Sequence, residues 1–144
     1  MPGRRRRCPP AGGRLAKRPV AGLGEFKDVK DPLVELRDVL RAFAAERDWD
    51  QFHSPRNLAA ALAVEAAELL EPFQWLTDEQ SRELSAESHA AVEREMADVL
   101  LYLVRLADKL GVDLEQAART KIALNAEKYP VAKARGSTRK YDEL

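Results

Sequence analysis

From residue 31 onward the apolar positions recur every three or four residues, and no stretch of any length shows the strict alternation of a half-buried strand. Leu33, Leu36, Leu40 and Phe43 line one face of a helix that opens at Asp31-Pro32 and runs to about Arg47. Aspartate before the first turn accepts an orphaned N–H, and proline at the first helical position gives up no hydrogen bond. Ser54-Pro55 repeats the signal after a loop at Asp48–His53, and Leu58, Leu62 and Leu69 carry a second helix to about Glu71, where Pro72 ends it. The polar residues 77–88 predict a loop with one short turn. Val92, Met96, Val99, Leu100, Leu103, Leu106 and Leu110 define a third helix over about Ala90–Leu110, stopped by Gly111. Asp113 with Gln116 resembles a capping box and opens a fourth, which ends before Tyr129-Pro130; Val131–Leu144 reads as irregular. Four helices with mostly short connections predict an all-α four-helix bundle over residues 31–130, with a C-terminal tail at 131–144.

Composition limits what such a bundle can do. The 144 residues suffice for one domain, and no apolar run reaches the roughly 18 residues needed to cross a bilayer. A single cysteine, Cys8, excludes an internal disulfide framework, and two histidines, His53 and His89, argue against a histidine-rich metal centre. A soluble cytoplasmic protein is expected. The overall charge balance of 24 basic and 24 acidic side chains hides an asymmetry. Residues 1–19 hold seven of the basic groups, no acid, four of the eight prolines and three of the seven glycines. The rest of the chain is left with 17 basic and 24 acidic groups, a formal charge of −7. So basic and Pro/Gly-rich a segment buries too little apolar surface to offset its ordering entropy, and residues 1–30 are expected to be a disordered arm. No apolar stretch follows its arginines, which argues against a twin-arginine or secretory signal. The acidic body argues against nucleic acid as the main partner.

The informative residues interrupt the apolar faces. Glu65 falls among Leu58, Leu62 and Leu69 on the side of the second helix that should be buried, with Glu68 three residues on. Glu95 falls between Val92 and Val99 on the third helix, with Asp98 three residues on. Either pair alone more often marks a solvated face than a site. Two pairs on two helices, each breaking a leucine stripe, point to one shared pocket. Two carboxylates about 4 Å apart repel by about 4 kcal/mol at an effective dielectric of 20, so such a pocket needs protons or cations. An all-oxygen ligand set favours Mg²⁺, with Mn²⁺ as a substitute, and Mg²⁺ commonly completes its shell with phosphate oxygens. Lys121, Asn125 and Lys128 form a stripe on the fourth helix that could hold the outer phosphates of a polyphosphate; on their own they would read as a solvated face. Trp49 precedes the second helix, and Phe73 and Trp75 follow it. Flat rings of this kind can stack on a base while His53 reads its edge, but only a folded-back or intersubunit arrangement would bring both tryptophans together; as core or interface anchors they fit equally well.

The runs ERDWDQFHSPRNLAAALAVEAAELLEPFQW, EREMADVLLYLV, KIALNAEKYP and RGSTRKY, in this order over residues 31–144, resemble the MazG-like all-α nucleoside triphosphate pyrophosphohydrolases, and within them the dCTP pyrophosphatase branch. The family's ExxE…ExxD metal signature falls on Glu65, Glu68, Glu95 and Asp98. The resemblance implies Mg²⁺-dependent hydrolysis of a deoxynucleoside triphosphate, dCTP or a base-modified analogue, to monophosphate and pyrophosphate, by a homo-oligomer, commonly a tetramer. It further implies that Trp49, His53 and Trp75 belong to a base pocket, and that Tyr102, Lys121, Asn125, Lys128 and Tyr129 belong to the sugar and phosphate region. Ala66-Ala67 stands where related sequences often have a glycine, and Pro72 is unusual between Glu71 and Phe73; both bear on where the helix ends and where Trp75 lies. Sister activities on the same scaffold, namely broad nucleotide clean-up, dUTP hydrolysis and phosphoribosyl-ATP hydrolysis, remain as alternatives, as does a non-catalytic helical oligomerisation module. A di-iron bundle would need Glu-x-x-His pairs, which neither histidine provides.

Overall fold

The computed structural model describes residues 31–143; the basic arm expected at 1–30 lies outside the described residues. The described chain is helical throughout: α1 (Pro32–Glu46), a 3₁₀ turn at Asp50–Phe52, α2 (Pro55–Leu70), α3 (Asp78–Arg82), α4 (Ala86–Leu110), α5 (Leu114–Lys128), α6 (Val131–Ala134) and a final 3₁₀ turn at Tyr141–Glu143. No helix among the described residues is long and apolar enough to cross a membrane.

Capping side chains set the boundaries. Asp31 accepts from the Leu33 N–H at 2.9 Å, Ser54 from Asn57 at 3.2 Å and Asp113 from Gln116 at 2.9 Å, as the sequence predicts. The Gln116 side chain does not return the bond; it donates forward to the Thr120 hydroxyl at 3.1 Å, so only half of the expected capping box forms at α5. The complete box is at Thr77, whose hydroxyl accepts from the Gln80 N–H while the Gln80 side chain accepts from the Thr77 N–H. It turns part of the expected 77–88 loop into α3. Ser85 accepts from the Ser88 N–H at 3.1 Å and starts α4 four residues earlier than apolar spacing suggests. At the other end of α4, Gly111 takes the left-handed conformation (φ 64°) and lets the Val112 N–H reach the Ala107 carbonyl at 2.9 Å. The tail, read from the sequence as irregular, contains the single turn α6 and a 3₁₀ turn.

α4 is the axis of the packed body. It lies along α2 for much of its length and against α1 near its C-terminal end. Both neighbours run antiparallel to it: Glu65 faces Glu95 and Asp98 while His53 reaches Arg105, and Leu33 and Arg41 lie beside the Gly111 end. Ala44, Leu58, Val104 and Ala107 are the buried apolar residues where the three helices meet, with Leu58 only 2% exposed. α5 buries none of its side chains. Its larger apolar residues, Ile122 and Leu124, are two apart, roughly 200° around the helix, and make no common stripe. The fourth helix therefore follows the packed body in sequence without being buried in it.

Candidate active site

The antiparallel packing of α2 on α4 brings the acidic motifs together. A carboxylate oxygen from each of Glu65, Glu95 and Asp98 lies within 4.8 Å of the others, and all three residues are half-buried. Burial and the nearby charges of Glu68, Asp98 and Glu95 push the Glu65 carboxyl above its ordinary value. Glu68 is itself exposed and stands at the edge of the cluster, acting on Glu65 through its charge. A divalent cation would reverse the sign of these interactions. Three clustered carboxylates, with no His or Cys in the group among the described residues, suit Mg²⁺ or Mn²⁺, which accept hard oxygen ligands.

Next to the cluster lies a cavity of about 220 Å³, shared by the ends of α1 and α2 and the middle of α4. Asp98 belongs to both. Phe43, Leu58, Leu101 and Tyr102 line the cavity together with Trp49, His53 and Arg105. Trp49 is held at the bend after α1, where Asp48 adopts a left-handed backbone (φ 52°) and the Trp49 N–H caps the Ala44 carbonyl at 2.9 Å. Its indole meets Phe43 and His53 edge-on, with ring centroids at 5.8 and 6.5 Å.

Spacing did not reveal the group beneath these rings. The Arg105 guanidinium, only 5% exposed, donates to His53 Nδ1 at 3.2 Å, to Asp108 at 2.6 Å and to Asp50. Lys109 also donates to Asp50 at 2.7 Å, and Arg41 of α1 grips Asp108. These partners hold both aspartate carboxyls below their usual range: Asp50 chiefly through Lys109, Asp108 chiefly through Arg41. Burial and the Arg105 charge push the His53 imidazole below its ordinary value, against a smaller upward pull from Asp50. The one sequence signal available was Arg105 and Asp108 at i, i+3; Asp50 and His53 lie more than fifty residues away.

The remaining expected site residues are not gathered here. Trp75 lies in the turn after α2, is 86% exposed, and does not line the Trp49–His53 cavity. Lys121, Asn125, Lys128 and Tyr129 sit exposed on α5 and just beyond it; Tyr129 packs edge-on against Tyr141 at 6.0 Å, and the Lys128 ammonium lies 5.1 Å from the same ring. Within one chain, then, the acids, Trp49, His53 and Tyr102 converge, and the cationic stripe does not.

Residues 60–144 match the MazG-like family. The chain belongs to that family. Human dCTP pyrophosphatase 1 is 46% identical over 127 residues, which are 86% of this chain and 75% of the human protein. Bovine dCTP pyrophosphatase 1 is 46% identical over 124 residues, 84% of this chain and 73% of its own. Among solved structures, a pyrophosphatase from Archaeoglobus fulgidus superposes with a TM-score of 0.67 at 37% identity, over 74% of this chain and 99% of that one. The acidic cluster of this MazG-like chain draws one carboxylate from α2 and two from α4.

Proposed function

We propose that the chain is a Mg²⁺-dependent nucleoside triphosphate pyrophosphatase that cleaves dCTP or a base-modified dCTP to the monophosphate and pyrophosphate, clearing the cytoplasmic nucleotide pool. The family and the names of its relatives support the pyrophosphatase class. One observation carries the finer reading: among the described residues, a cluster of three carboxylates shares Asp98 with a cavity lined by an indole and an imidazole. A triphosphate carried by a metal and a flat base fit the two halves of that arrangement.

Glu65, Glu95 and Asp98, with Glu68 at the edge, would hold the ion. Mg²⁺, when bound, supplies Lewis-acid polarisation of the phosphate and neutralises its charge. The chain's own work is positional. A carboxylate of the cluster orients the water and accepts its proton as the water oxygen bonds to the α-phosphorus; the bond from that phosphorus to the bridging oxygen breaks, and pyrophosphate leaves with the electron pair. With little covalent work for the protein, orientation and charge placement dominate the rate. Trp49 offers a stacking face, and His53 and Tyr102 offer polar atoms to base and sugar.

A homo-oligomer completes the site on this reading. Met96, Leu100, Leu103 and Leu110 leave an exposed apolar stripe along α4, and Lys121, Asn125 and Lys128 are exposed on α5. A second copy covering the stripe could bring Trp75 and the α5 cations toward a neighbour's acidic cluster. The experiment is a nucleotide panel with Mg²⁺, its products separated by anion exchange. dCMP and pyrophosphate as products, with dCTP or a modified dCTP hydrolysed fastest, are expected. Release of orthophosphate rejects the reaction, and a faster rate on dUTP or phosphoribosyl-ATP reassigns the substrate.

A further inference from the structure

Each nitrogen of the Arg105 guanidinium has a partner within the protein: Nε on His53 Nδ1, one terminal nitrogen on Asp108 and the other on Asp50. At 5% exposure, and with these partners, it is not placed to bind phosphate. It is always a donor, so the His53 nitrogen it meets must be the acceptor. A neutral imidazole has one of each, and the proton therefore sits on Nε2, for which the described residues provide no partner.

We propose that Arg105 is a positioning residue that locks His53 in the neutral Nε2–H form, so that the cavity presents a hydrogen-bond donor and selects a base edge rich in acceptors. This rests on the reading of the cavity as a base pocket. Cytosine offers contiguous acceptors at O2 and N3, whereas uracil and thymine carry a proton on N3 that a locked donor opposes. An unlocked histidine could turn an acceptor to that proton and would discriminate less.

The surroundings favour the lock. Arg105 and Lys109 from α4 and Asp50 from the 3₁₀ turn are the charges acting on the ring, while Asp98 and Tyr102 of α4 line the same cavity. α1 and α2 contribute only apolar groups there, Leu40, Phe43, Ala44 and Leu58. Burial and Arg105 act together against the doubly protonated ring, which would have no acceptor to offer the guanidinium.

Long-range ¹⁵N–¹H spectra of the full chain, with His89→Gln so that His53 is the only imidazole, read the lock without substrate. The expected spectrum has Nε2 protonated and Nδ1 bare from about pH 8 down through the ordinary histidine midpoint near 6.5. Arg105→Met should mix the tautomers and raise the midpoint, and the fold should survive because Asp50 keeps Lys109 and Asp108 keeps Arg41. In turnover, the variant's preference for dCTP over dTTP should narrow about tenfold through KM with kcat retained, the size of one hydrogen bond. A wild-type ring protonated on Nδ1 overturns the proposal, as does an unlocked ring in the variant with unchanged base preference. Absence of turnover on every nucleotide by the wild type instead overturns the function proposed above.

Discussion

Helix α4 carries two charged pairs at the same spacing, Glu95 with Asp98 and Arg105 with Asp108, and they behave in opposite ways. At the C-terminal pair each charge finds its counter-charge within the chain: Arg41, Arg105 and Lys109 are met by Asp50 and Asp108, and no buried side-chain polar atom among the described residues lacks a partner. At the N-terminal pair the neighbours added by α2 are acids as well. Identical local geometry is thus used once to complete a structure and once to leave it incomplete. A charge cluster that its own protein neutralises supports the fold; one surrounded by further acids repels itself and favours the uptake of protons or cations.

The contrast can be broken at either end, and the largest effect is expected at the acidic one. Glu95→Gln should lower turnover about a thousandfold or more, some 4 kcal/mol of transition-state stabilisation. With the metal chelated, the same change should raise the melting temperature, because it relieves repulsion. Calorimetry with and without EDTA, beside activity, separates the two; near-normal turnover would dissolve the site.

At the other end the sign should invert. Asp108→Ala strips a nearly buried carboxylate from two arginines and should cost about 3 kcal/mol in urea unfolding, with metal affinity little changed. The pH dependence follows the same division. Asp50 and Asp108 have folded values below the unfolded ones, so their stabilisation is present above the ordinary carboxylate range and is lost as the pH falls through the folded values. His53, also lowered, adds a loss beginning as the pH drops below about 6.5, where the unfolded ring binds the proton more readily. Glu65 is raised, so in EDTA it works the other way: the folded chain loses stability as the pH climbs through the carboxyl range. Melting curves for the wild type and Asp108→Ala should therefore converge in acid.

The smallest effect should come from Glu68→Gln. This exposed residue contributes charge at the rim and no oxygen to the tight trio, so a loss of about tenfold in kcat/KM, or 1.4 kcal/mol, is expected, well short of the Glu95 variant. Equal losses would place Glu68 inside the coordination set.

The parts of this architecture legible in the sequence were those written locally. Asp31-Pro32, Ser54-Pro55 and Gly111 marked helix ends because caps act within a turn, and the four acids stood out because they broke leucine stripes. Thr77-x-x-Gln80 was equally local and was hidden by polar neighbours; the Ser85 cap was missed because apolar periodicity begins only later. The Arg105 network was not legible, since nothing near Arg105 says that Asp50 and His53 will fold back onto it. Nor did the periodicity of α5 reveal that its faces would go unburied.

Because α4 is a single unbroken rod from Ala86 to Leu110, it also serves as a ruler. Asp98 and Arg105 are seven residues apart, two turns and about 10 Å along the axis, so the span from the acidic cluster to the Trp49–His53 end of the cavity is set by helical rise rather than by a hinge. One residue inserted between them would lengthen that span by only about 1.5 Å but swing one end through about 100°, severing the acids from the cavity without removing a single side chain.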